Sequence, residues 1–70
     1  MLITICDVPE HYKAEIVNIG GVVGREWGDI IDVRFSEHKM YVRDNYIKLR
    51  SKDHKALILS NDEFSAITVQ

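Results

Sequence analysis

Seventy residues make one domain with a small core, because a chain of this length buries only roughly 60% of the surface it exposes when unfolded. Apolar residues at 46% and charged residues at 29% exclude a disordered chain and a membrane-embedded one. The formal charge of −2 argues against nonspecific attraction to a polyanion, but residues 1–35 carry three basic against six acidic side chains (net −3) and residues 36–70 six against five (net +1), which leaves room for a local basic site.

Taken in chain order, Leu2-Ile3-Thr4-Ile5-Cys6 is β-branched and predicts a first strand, ended by Pro9, which lacks the amide a ladder uses. Cys6 within it reads as a small buried hydrophobe. Asp7-Val8-Pro9-Glu10 also has the marks of a helix start, with proline in the first turn and a carboxylate near it. Lys13 to Ile19, with Ala14, Ile16, Val17 and Ile19 apolar, fits neither the helical nor the strand period and reads as a connector.

Ile19 to Phe35 predicts a β-hairpin. Val22 and Val23 precede a glycine-containing turn, and Ile30, Ile31, Val33 and Phe35 alternate with Asp32 and Arg34 after it. Gly20, Gly21 and Gly24 read as bending points or close approaches, not as a phosphate cradle, since a strand-forming segment follows them instead of a helix opened by Lys-Ser or Lys-Thr. Ser36 to Lys39 has hairpin-loop length, Met40 to Arg43 resumes alternation, Asp44-Asn45 makes a tight turn and Tyr46 to Leu49 adds another strand. Arg50 to Lys55 is a charged loop, Ala56 to Leu59 a strand, Ser60 to Glu63 a turn or short capped helix, and Ala66 to Val69 a last strand.

The whole of residues 1–70 is therefore expected to form a single mainly β domain of five to six short strands with short helical turns, either closed into a small barrel or strongly bent as an antiparallel sheet. The alternative to closure is an open sheet whose edges are covered by the short helical pieces or by a second copy, pairing through Leu2–Cys6 or Ala66–Val69. Residues 19–49 resemble the SH3-like small barrels, including the KOW type, in Gly21-Val22-Val23, Val33-Arg34-Phe35 and Leu49. The resemblance implies a non-enzymatic module that binds protein, RNA or DNA.

No catalytic set, metal set or cofactor motif emerges. His11, His38 and His54 are too far apart to share a helix face and read as three exposed loop histidines. Two candidate binding surfaces remain. Trp27 at a hairpin tip, with Glu26, Asp29, Tyr12 and Tyr41, fits a protein interface, where amphipathic aromatics bury much area at low entropic cost; the competing role for Trp27 is a core plug. Arg43, Lys48, Arg50, Lys52 and Lys55 form the second. If the strand continues past Leu49, Lys48, Arg50 and Lys52 share one face and could track phosphates while tyrosines stack on bases; the competing role is a lysine-protected sheet edge. The first surface leads, with a larger protein as partner and a regulator or inhibitor as the job, and nucleic acid is the alternative. The absence of an apolar run of ~20 residues and of a basic amino-terminal start leads to the expectation of no membrane partner and a cytoplasmic setting.

Overall fold

In the computed structural model, which describes residues Met1–Gln70, the period-two apolar runs become seven strands: β1 (Ile3–Pro9), β2 (Val22–Trp27), β3 (Ile30–Phe35), β4 (Lys39–Val42), β5 (Tyr46–Arg50), β6 (Ala56–Ser60) and β7 (Ala66–Val69). All pairings are antiparallel, and the strands hydrogen-bond as two open sheets, ordered β2-β3-β1-β7 and β4-β5-β6, with no barrel closure. The fold is mainly β as expected, with seven strands where five or six were anticipated. Both sheets contribute to one core. Ile3, Ile5, Ile31, Val33 and Phe35 come from the first, and Ile47, Leu49, Leu57 and Leu59 from the second.

Sheet order corrects one expectation. Leu2–Cys6 offers no free edge for a second copy, because β1 lies between β3 and β7 and is paired on both sides. The open edges belong to β2, β7, β4 and β6. Nor does Asp7 begin a helix: it sits at a register shift within β1, with φ +59, and the strand runs on to Pro9 before the 3₁₀ turn Glu10–Tyr12.

Lys13 to Asn18 is a helix, α1, rather than a connector. Its packing face is Tyr12, Ile16 and Ile19, spaced four and three residues apart; the exposed Val17 obscures that pattern in the sequence. The helix ends in a Schellman arrangement: Gly20, at φ +85, donates its N–H to Val17 and Gly21 donates to Ile16, at 3.0 and 2.8 Å. Gly21 is also a close approach. A Cβ there would lie 2.6 Å from Phe35 Cε1 and 2.7 Å from Ile16 Cγ2.

His38 is not an exposed loop histidine. It is buried, its Nε2 is 2.5 Å from the Ile19 carbonyl oxygen, and its ring packs T-shaped against Phe35 with centroids 5.0 Å apart. A second tie spans the sheets at the other end of the chain. Tyr12 donates its hydroxyl to Glu63 Oε2 at 2.7 Å, and Glu63 Oε1 accepts the Ser60 N–H at 3.0 Å.

Gly21→Ala should destabilise the fold by about 1–3 kcal/mol through overpacking, read as a lower denaturant midpoint with an unchanged slope. Tyr12→Phe should cost about 1–2 kcal/mol at neutral pH. The bond to Glu63, with burial and nearby carboxylates, pushes the Tyr12 phenol up to about 12. The folded state therefore holds this proton more tightly than the unfolded chain, so the contribution is complete below pH about 10 and fades as pH rises through about 12. Wild type and Tyr12→Phe should converge in stability over that window; a gap independent of pH would contradict the assignment.

Candidate functional site

The second sheet has one face in the core and one in solvent. In β5, Ile47 and Leu49 are buried, so Tyr46, Lys48 and Arg50 point outward. Register then decides what stands beside them. Tyr41 is opposite Lys48 and Lys39 opposite Arg50, while Arg43 donates its backbone N–H to Tyr46 at 2.9 Å. From β6, Ile58 pairs with Lys48 and is 55% exposed. Four cations, two tyrosines and one exposed isoleucine thus share a continuous face.

Tyr41 is its centre. Arg50 Cζ lies 5.6 Å from the ring centroid, and Arg43 Cζ and Lys48 Nζ each lie 5.8 Å away. The ion pairs of the molecule join Lys13 to Glu26, Lys52 to Glu37 and Lys55 to Asp53, so none engages Lys39, Arg43, Lys48 or Arg50. The Tyr41 ring attracts three of these cations, Arg43, Lys48 and Arg50, and Arg43 also donates to the Val42 carbonyl at 3.1 Å.

Outward charges are ordinary on the solvated face of an antiparallel sheet, but strand pairing does not favour their like sign. Lysines that guard a sheet against aggregation belong on its edges, whereas Lys48 and Arg50 are on the central strand. Like charges directly opposite one another, as Lys39 and Arg50 are, oppose strand pairing. The edge-protection role fits Lys39, on the edge strand β4, but not Lys48 and Arg50.

Two shallow depressions lie along the face. One, of about 270 Å³, is lined by Tyr41, Arg43, Tyr46, Lys48 and Arg50. The other, of about 240 Å³, is lined by Glu37, Lys39, Arg50, Ser51, Lys52 and His54, with no apolar side chain. Arg50 belongs to both. The strand does not continue to Lys52 as the sequence suggested, because Ser51 starts a tight loop in which its Oγ bonds the Asp53 carboxylate and accepts the Lys55 N–H at 3.1 Å. The bond from Ser51, with Lys55 nearby, holds the Asp53 carboxyl below the usual carboxylate range. Lys52 and Lys55 accordingly leave the sheet face, Lys52 at 3.2 Å from Glu37 and Lys55 at 3.7 Å from Asp53.

The other sequence-derived set is dispersed. Trp27 is 69% exposed on the edge strand β2 and is no core plug; Arg25, its neighbour two residues back on the same face, places Cζ 5.3 Å from the ring. Glu26 is held by Lys13 at 3.0 Å, which raises the Lys13 ammonium above its usual range. Asp29 is in the hairpin turn, where its carbonyl accepts the Glu10 N–H at 2.8 Å. Tyr12 is committed to Glu63, and Tyr41 belongs to the other sheet. A small depression of about 170 Å³ beside Trp27 is bounded by Asp7, Arg25, Ile30 and Asp32. Cys6 is half-buried rather than buried; desolvation pushes its thiol up, with Asp32 and Asp7 adding to the effect. Arg25 and Ile58 were missed, although an i, i+2 reading from Trp27 would have found the first.

Lys39→Glu, which sets a carboxylate opposite Arg50, should stabilise the fold by roughly 0.2–1 kcal/mol, seen as a higher denaturant midpoint that shrinks with added salt. Wild-type stability unmoved at low salt would mean that the two cations do not sense each other across the strands.

Compared with protein-family models, curated proteins and solved structures, the chain matches none.

Proposed function

We propose that this protein is a non-enzymatic nucleic-acid-binding module that engages its partner with the outer face of β4 and β5. The observation that carries this reading is Tyr41 with three cations within 6 Å, none held by a carboxylate and two of them on a central strand. Exposed cations supply phosphate attraction, and an aromatic among them supplies a surface for a base. The KOW-type likeness of residues 19–49 is as compatible with a nucleic-acid partner as with a protein one, and the cytoplasmic setting expected from the sequence fits either. A second reading, a protein-binding regulator or inhibitor, is favoured by Trp27 and Val22, which are 69% and 59% exposed on one open-edged strand.

Fluorescence anisotropy with labelled oligonucleotides separates the two. Binding should weaken steeply with salt, with a log–log slope of about −3 if Lys39, Arg43, Lys48 and Arg50 each displace a counterion. Lys48→Glu with Arg50→Glu should abolish it, and Trp27→Ala should leave it unchanged. Oligonucleotide binding that survives the double charge reversal would overturn the reading. A salt-tolerant protein complex lost on Trp27→Ala, from a chain that binds no nucleic acid, would establish the second.

A further inference from the structure

Resting on that reading, we infer that the β4–β5 face selects single strands: one base lies on Tyr41, the adjoining phosphate enters the depression beyond Arg50, and Arg50 spans the two. A face built only to attract a duplex needs cations and gains nothing from an aromatic ring at its centre, since duplex bases are already stacked on one another. Here the ring is half-buried on the edge strand β4, opposite Lys48 of β5, with three cations 5.6–5.8 Å from its centroid. A base stacking on the ring would displace a cation from its face, and the displaced charge would remain close enough to meet the adjoining phosphates.

The two depressions differ in the side chains that line them: one has aromatic rings, the other has none. The one at Tyr41 has two tyrosines in its lining and, at about 270 Å³, exceeds the ~150 Å³ known to suffice for a benzene ring. Exposed Ile58 lies beside Lys48 and extends the apolar part of the surface. The other depression is lined by charged and polar residues only, Lys39 and Arg50 among them. Its one carboxylate, Glu37, is engaged by Lys52, which leaves Lys39 and Arg50 as cations without an acidic partner. Lys48 and Arg50, two residues apart on one strand, are separated by about 7 Å along it, within the reach of a single nucleotide.

The test is a competition assay against a labelled single-stranded oligonucleotide, with oligodeoxythymidine and oligouridine arms and a duplex of matched length as competitor, run at low salt. The duplex should compete at least about ten-fold less well per nucleotide than the single strand. Tyr41→Ala should weaken binding about 5- to 150-fold, the range for loss of one base–aromatic stack. Tyr41→Leu, which keeps apolar bulk in β4 without a π face, should lose as much, while Tyr41→Phe should stay within about two-fold of wild type. Circular dichroism of each variant checks that the fold persists. The Tyr41 ring protons should also move upfield in NMR spectra when the oligonucleotide binds. Equal competition by duplex, or full binding by Tyr41→Leu alongside loss in the Lys48→Glu, Arg50→Glu double variant, would overturn single-strand selection and leave the nucleic-acid reading standing. Failure of every oligonucleotide to bind would overturn both.

Discussion

Phe35 can be buried where it is only because residue 21 has no side chain. It is among the largest fully buried side chains, and its ring occupies the space a Cβ on Gly21 would need. Three constraints meet there. The Schellman end of α1 puts Gly21 against the ring, the end of β3 supplies the ring, and His38, just before β4, packs on it and reaches back to the Ile19 carbonyl. This junction turns the chain from the first sheet into the second. Beyond it the two sheets, which share no ladder, are joined by the β6–β7 connection, by apolar contact and by the Tyr12–Glu63 tie.

Because the sheets pack inner face to inner face, each leaves its outer face in water, and the two outer faces differ. On the first sheet, Arg25 stands opposite Asp32 and the charges alternate in sign. On the second, Lys39, Arg43, Lys48 and Arg50 are of one sign, and two of them are set directly across from each other. The first pattern is what strand pairing favours and the second is what it resists. The repulsion between Lys39 and Arg50 therefore works against the pairing of β4 with β5.

The sequence made the strands legible because their apolar residues fall at period two, and Ile47, Leu49, Val33 and Phe35 are buried as that period requires. It hid α1, whose exposed Val17 interrupts the helical spacing of Tyr12, Ile16 and Ile19. It hid His38 too, since a polar residue in a loop gives no sign that the loop is a junction between sheets. The candidate sites were legible to the extent that they depend on alternation within one strand: Lys48 and Arg50 share a face as read. What failed depends on pairing between distant segments. Leu2–Cys6 is not an edge because β3 and β7 claim its two sides, Lys52 leaves the face because Ser51 closes a loop, and Tyr41 parts from Trp27 because β4 and β2 enter different sheets.

A negative net charge is a poor guide to whether such a molecule can hold a polyanion. The molecule measures 30 × 25 × 22 Å, several times the screening length of about 8 Å at physiological ionic strength. A phosphate beside Arg50, next to a base on Tyr41, would respond chiefly to charges within that length. The nearest are Arg43, Lys48 and Arg50, grouped around the ring. Asp7, Glu10, Glu15, Glu26, Asp29 and Asp32, which make the amino-terminal half acidic, belong to the first sheet, its turns and the helix. Their repulsion reaches across the molecule only when salt is low enough to lengthen the screening distance. Where charges sit relative to that length, rather than their sum, decides what the face attracts, and composition carries no information about placement.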